Sequence, residues 1–450
     1  MNPIIPDIDK RLQKRYQQLV REHSGHAHAT ASGLRILPDE PSAKAAAQAA
    51  WRFFNNPAIT FPALAQPLIQ AATACAQLHC RDFALVAMDW SWLDYRHHDS
   101  KIDRRRGPVG VRGYKLLSAL LLSDQDGQPL VPLAEQLLTA RHLFSSRLLQ
   151  PRSSRTALDE LAAVMGFVKD LPLGKRPVFI IDAEADSVYH LRWWQRRHLL
   201  FLVRVDDDRY VRIDGQEMRL PSLVRRLQHQ KAFRRTREVT YEGKRVWQYV
   251  AEAKVVLDRP AWLHRKINGR RKRLWRRGKP LPVRLIISEL RDENGRRLER
   301  WYLLTNVPAK VEAETITLWY YWRWKIETFF KLLKSAGQQV EHWQQEEPQA
   351  LLKRLLVASM ACVLAWRLAA SQAPPAAEAR RVVMSLSGRQ LEYGKEYTLE
   401  GLLAGIWVLL AMRAVLERLS VRRLKEMADF ILNGCIEPQP ATAPPRREAG

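Results

Sequence analysis

Two short apolar runs, Phe83–Met88 and Pro177–Ile181, each stop at an aspartate, Asp89 and Asp182. Runs of this length, bounded by polar residues, suit buried strands. Between them, Tyr114–Ser123 is a third such run, closed by the turn Asp124-Gln-Asp-Gly127, which predicts a hairpin. Helical patterns over 154–171 and 185–195 and a further strand over 199–205 complete an alternation of strand and helix. That alternation restricts the region to an α/β fold whose sheet is at least partly parallel. Functional groups in such sheets gather at the carboxyl ends of the strands. Asp89 and Asp182 are both expected there.

The flanking regions have a different texture. Residues 1–80 are expected to be helical, with Ser42 capping a helix over Ala43–Phe54 and a second helix over Pro62–Leu78. Residues 206–310 carry short alternating segments (237–241, 245–256, 283–288, 301–305), which predict a β-rich insertion. The most basic run in the chain, His264–Lys279, lies inside it, with Arg270, Arg271, Lys272 and Arg273 at its centre. From 311 the pattern returns to helix, and the tail from Glu437 has the composition of a disordered segment. Leu355–Trp366 and Leu402–Met412 are apolar but shorter than a bilayer span, so both are expected to be buried core helices. The N-terminal segment lacks the apolar stretch of a signal peptide, so a cytoplasmic protein without a membrane partner is expected. Cys75, Cys80, Cys362 and Cys435 are too scattered for a disulfide framework or a zinc site. His23, His26 and His28 are expected to be ordinary surface histidines.

Charge narrows the partner. Lys and Arg number 73 against 47 Asp and Glu, a net +26, which calls for a polyanion. One segment, LWYYWRWKIETFFKLLKSAG, places Tyr320, Arg323, Glu327 and Lys334 within about 60° of one another on a helix. Surface salt bridges such as an Arg323–Glu327 pair would explain that stripe on spacing alone. A helix otherwise so apolar, with two strand-end acids upstream and a strong positive charge overall, fits phosphodiester chemistry. Mg²⁺ or Mn²⁺ takes hard oxygen ligands, and two such ions can activate an attacking oxygen and stabilise a leaving one. Three carboxylates suffice, with arginine and lysine to hold the flanking phosphates.

Tyr320-x2-Arg323-x3-Glu327-x6-Lys334 matches without a gap the YREK signature of the DDE transposases of insertion sequences, and the chain resembles the IS-four/Tn-five type. MDWSWLDYRHH at Met88–His98 resembles the segment bearing that family's first catalytic aspartate, which implies Asp89 rather than Asp94. IDAEAD at Ile181–Asp186 resembles the second, implying Asp182 rather than Asp186; the signature helix supplies Glu327. WYLLT at Trp301–Thr305 resembles the strand whose tryptophan stacks on DNA near the cut, and AAQAAWRFFNNPAIT resembles the DNA-end-recognition region.

The resemblance covers about residues 40–365. It implies a ribonuclease-H-like mixed sheet core interrupted by the β-rich insertion, with helical N- and C-terminal regions. The corresponding divisions are 1–80 for end recognition, 81–205 for the first part of the core and 206–310 for the basic insertion. They continue with 311–370 for the signature helix and its successor, and 371–450 for a C-terminal region with a possible dimerisation role. Also implied are cleavage of transposon ends with Mg²⁺ or Mn²⁺ at Asp89, Asp182 and Glu327, and strand transfer into target DNA. A hairpin intermediate and a homodimer in a synaptic complex with double-stranded DNA belong to the same expectation. DNA contacts would fall to Tyr320, Arg323, Lys334, Lys331, Trp301 and the cluster Arg270–Arg273. A metal-dependent nuclease on the same fold and a catalytically idle DNA-binding derivative remain as alternatives.

Overall fold

Three helices lead the chain: α1 (Lys10–Ser24), α2 (Glu40–Asn55) and α3 (Phe61–His79). The computed structural model describes residues 5–24, 40–267, 270–334, 337–391 and 394–432, with side chains at all of these except 24, 40–43 and 262–274. His26, His28, Cys435 and the tail from Glu437 lie outside the described residues. The α3 start follows from Thr60, whose hydroxyl accepts the Ala63 amide at 3.3 Å, and from a proline in the first turn. Ser42 is not the cap of α2. That helix already begins at Glu40, and Pro41, whose missing N–H and fixed φ suit a first turn, sits ahead of Ser42 inside it.

The core sheet starts with β1 (Phe83–Asp94), β2 (Arg105–Arg106), β3 (Arg112–Ser123), β4 (Pro129–Leu138), β5 (His142–Ser145) and β6 (Arg152–Ser153). After α4 (Ala157–Lys169) comes β7 (Arg176–Ile181), and after α5 (Val188–Arg196) comes β8 (Leu200–Val205). β3 and β4 form the hairpin predicted around Asp124–Gly127. β7 is parallel to both β1 and β8, with α4 and α5 as part of the crossovers. Strands covered on both faces read as continuous apolar runs, and Ala84–Met88 and Val178–Ile180 are accordingly buried.

The next segment brings β9 (Tyr210–Ile213), β10 (Gln216–Arg219), α6 (Leu220–His229), β11 (Arg234–Tyr241), β12 (Lys244–Leu257), β13 (Ala261–Ile267), β14 (Arg270–Arg276), β15 (Leu281–Arg291) and β16 (Arg297–Thr305). β13 and β14 make a separate hairpin. The others do not form a free-standing sheet. β16 pairs antiparallel with β8, so one sheet runs β10-β9-β12-β15-β16-β8-β7-β1-β3-β4-β5-β6, with β11 on β12 and β2 on β3.

Helices close the chain: α7 (Ala313–Trp322), α8 (Lys325–Leu333), α9 (Pro348–Ala370), α10 (Pro374–Leu386), α11 (Leu399–Leu416) and α12 (Val421–Leu432). α9 contains the apolar run 355–366, is buried along nearly its whole length, and lies against α1, α2, α3 and β4. The expectation for 402–412 needs correction. Within α11 only Gly401, Leu402, Leu403 and Gly405 are buried, while Leu409, Met412 and Leu416 are exposed. Among the described residues α11 is also the one single helix long and apolar enough to cross a membrane. His23 needs correction as well: it is buried where α1 meets the chain after α8, with Nδ1 2.8 Å from the Gln338 amide oxygen.

Candidate active site

The sheet register brings the two aspartates together. The last parallel pair between β1 and β7 is Met88 with Ile181, so the next residue on each strand is an aspartate. Asp182 stands where expected, at the carboxyl end of β7, and its carboxylate accepts the Ala183 amide at 2.7 Å to open a single 3-10 turn. Asp89 does not end its strand. β1 runs on to Asp94 because β3 continues to pair with it, Asp89 lying opposite Ser118, after β7 has stopped.

The signature segment is not one helix. It breaks between α7 and α8 at Arg323 and Trp324, where amides bond three residues back: Arg323 to Tyr320, Trp324 to Tyr321, Ile326 to Arg323 and Glu327 to Trp324. This 3-10 tightening winds the chain faster than an α-helix and changes the angles expected for the stripe. Tyr320, Arg323 and Glu327 still face the two aspartates. Arg323 is only 5% exposed, and its guanidinium is the point on which the acids converge. Nη1 donates to Asp89 Oδ2 at 2.7 Å; Nη2 lies 3.1 Å from Asp182 Oδ2 and 3.5 Å from Glu327 Oε1. The Tyr320 hydroxyl donates to Asp182 Oδ1 at 3.1 Å, and the Asp89 Oδ1 accepts the Trp90 amide at 2.7 Å.

Electrostatics match this packing. Burial pushes the Asp89 carboxyl above its usual range despite the opposing pull of Arg323, and it raises Glu327 in the same way. Burial, aided by the Asp182 charge, pushes the Tyr320 hydroxyl well up, so it remains a donor near neutrality. Among the described residues no three His, Cys, Asp or Glu are closed into a metal cage. The donor set nevertheless fits Mg²⁺ or Mn²⁺: three hard-oxygen side chains, 21%, 32% and 37% exposed, already gathered on one positive charge.

Other expected site residues are distributed differently. Lys334 lies just past the end of α8, where its ammonium donates to the Trp92 carbonyl and stands 3.4 Å from Glu341, so it braces β1 rather than joining the carboxylates. Lys331 pairs with Glu400 on α11 at 3.0 Å. Trp301 on β16 lies 5.5 Å from Tyr320, ring to ring, at 64°. The two line a cavity of about 550 Å³ with Tyr321, Trp322, Trp324, Arg204 and Arg237. Arg270, Arg271, Lys272 and Arg273 belong to β14, and their side chains lie outside the described residues. Asp186 is paired with Arg209 and Asp94 with Arg96, which occupies both neighbouring acids. Sequence reasoning missed Arg204, whose Nη1 is 3.9 Å from Asp182; a lone charge in the apolar strand LFLVRV was the available sign.

Fold and site together define a mixed α/β protein with an acidic centre at the carboxyl edge of its parallel strands. Residues 152–364 match the family model described as a transposase DDE domain, which supports a DDE transposase. The matched span takes in Asp182, Trp301, Tyr320, Arg323, Glu327 and Lys334 and begins after Asp89. No curated protein matches. One solved structure, described as a piggyBac transposase synaptic complex with hairpin DNA, is similar at 10% identity and a TM-score of 0.37, over 97% of this chain and 78% of that one. A likeness that loose decides neither fold nor mechanism.

Proposed function

We propose that the chain is a cut-and-paste transposase of the YREK-bearing, IS-four/Tn-five type, with a ribonuclease-H-like core and a catalytic triad of Asp89, Asp182 and Glu327. The observation that carries this reading is the convergence of three carboxylates, far apart in sequence, on the Arg323 guanidinium. Two Mg²⁺ or Mn²⁺ ions held by these acids would supply activation of the attacking oxygen and stabilisation of the leaving one.

The protein's own groups divide the remaining work. Tyr320 fixes one oxygen of Asp182, while the other faces the Arg323 guanidinium. Arg323 offsets part of the charge of the three acids and holds them together. Arg204, 3.9 Å from Asp182, and Arg237, which lines the aromatic cavity with it, would hold flanking phosphates, and that cavity at Trp301 would accept a base drawn from the duplex. Synapsis of two ends calls for a homodimer, and the reaction belongs in the cytoplasm on chromosomal DNA rather than at a membrane.

The test is incubation of the chain with its own element's paired ends and Mg²⁺. Nicks, hairpins and joined products are expected with wild type, and none with Glu327→Gln. Cleavage without joined products identifies a nuclease of the same fold instead, and unchanged cleavage by Glu327→Gln removes the site assignment.

A further inference from the structure

A second cleft, of about 630 Å³, opens between α5 and the chain linking β14 to β15. It is separate from the carboxylates. Through the register of β15, β16, β8 and β7, the Leu281–Leu257 pair at its floor lies about five strand residues, ~17 Å, from the level of Asp182. Arg192, Arg196, Arg276, Arg277 and Lys279 line it, and among the described residues no acidic residue does.

Arg192 makes this more than a basic surface. It is 8% exposed, on the inward side of α5. Nη2 donates to the carbonyls of Leu257 and Arg259 at 3.3 and 3.1 Å, which fixes the plane of the guanidinium, while the buried Nε has no hydrogen-bond partner. Among the described residues no carboxylate lies within ion-pair distance. The nearby Asp258 pairs with Arg212 at 2.7 Å, and Glu217 is taken by Arg259. Gly278 leaves the space in which this guanidinium sits, since a Cβ there would lie 2.7 Å from Nη1. Buried cations are ordinarily paired, because an uncompensated charge in a protein interior costs several kcal/mol. Here the missing counter-charge faces a cleft ringed by four further cations, none of them ion-paired among the described residues.

We propose that this cleft is a phosphate-binding seat for the backbone of duplex DNA, with Arg192 as its fixed anchor and Arg196, Arg276, Arg277 and Lys279 as its rim. Its level, about five strand residues from that of Asp182, lets one protein hold DNA at a point remote from the scissile bond. The proposal rests on the reading of the chain as a DNA-processing enzyme, but it is tested without catalysis.

The full-length chain is titrated with a labelled duplex of arbitrary sequence in EDTA, over a salt series. R276E/R277E/K279E is expected to weaken binding by about tenfold or more and to reduce the salt slope by about 2 to 3. The same charge change on α12, R422E/R423E/K425E, controls for net charge and is expected to have a smaller effect. G278A, which displaces the Arg192 guanidinium and alters no charge, is expected to weaken binding with the rim intact. Thermal unfolding checks that each variant folds. Should the α12 control lose as much affinity as the rim variant, or should rim and G278A bind as wild type does, the seat is wrong. Inorganic pyrophosphate, added as a competitor, separates sources: displacement of pyrophosphate binding by the rim variant with duplex binding unchanged assigns the cleft to a free phosphate ligand and overturns the DNA backbone. Because EDTA abolishes chemistry, failure here leaves the cleavage result standing, and inactivity in the cleavage assay leaves this one standing.

Discussion

Arg323 and Glu135 show two ways in which a buried charge is handled. At Arg323 three acids share one guanidinium, so each carries a partner although none is fully wet. Glu135 on β4 is fully buried, and its carboxyl has a single hydrogen bond, from the Ser359 hydroxyl at 2.8 Å to Oε1, with none at Oε2. Burial pushes its carboxyl up to about 7 from an ordinary 4.5. The folded state therefore holds the proton more tightly than the unfolded chain. The stabilisation is fully present below pH 4.5 and is lost as pH rises through 7, a span worth about 3 kcal/mol. Glu135→Gln, which keeps the shape and removes the titration, is expected to melt well above wild type at about pH 8 and close to it at about pH 5. A difference that is the same at both values would show that Glu135 is ionised or already compensated in the fold.

At the scale of the elements, β1 is the member on which the site depends most, and its start is pinned by the hairpin beside it. The Asp124 carboxylate accepts the amides of Arg81, Asp82 and Phe83 at 2.6, 2.9 and 2.9 Å. Asp124→Ala leaves three amides at the entry to β1 with water alone and is expected to cost about 2 kcal/mol in denaturant unfolding, with Asp124→Asn recovering part of it. A loss below ~0.5 kcal/mol would mean the pairing with β3 and β7 holds β1 without this clamp. The apolar runs of β7 and β8 and the hairpin around Asp124–Gly127 were legible in the sequence because burial on both faces and a turn leave marks in residue type. The true end of β1 left none: after Asp89 only β3 accompanies the strand, and its half-buried WSWLD has no apolar run to follow. The break at Arg323 was equally silent, because a change from four-back to three-back hydrogen bonds alters no residue's character. α11 misled in the other direction. A helix apolar all round ordinarily lies in a core, yet Leu409, Met412 and Leu416 of α11 are exposed. Helical angle placed Lys334 on the stripe, and the chain leaves the helix at that very residue.

For the whole molecule, the sheet is the organising fact. The basic segment expected as an insertion is hydrogen-bonded into the core through β16 and β8, so the aromatic cavity at Trp301 and the carboxylates are held by one continuous ladder. The three carboxylates belong to a chain of net charge +26, which favours approach of a polyanion. The most direct test of that centre is a Mn²⁺ titration followed by electron paramagnetic resonance, on wild type and on Asp89→Asn, Asp182→Asn and Glu327→Gln, with thermal unfolding and DNA cleavage measured on the same samples. The expected result is Mn²⁺ binding by wild type that each substitution weakens by tenfold or more, about 1.4 kcal/mol, with cleavage abolished and the fold retained. Mn²⁺ affinity and metal-dependent cleavage unchanged in all three folded variants would contradict the assignment of Asp89, Asp182 and Glu327 as the catalytic centre.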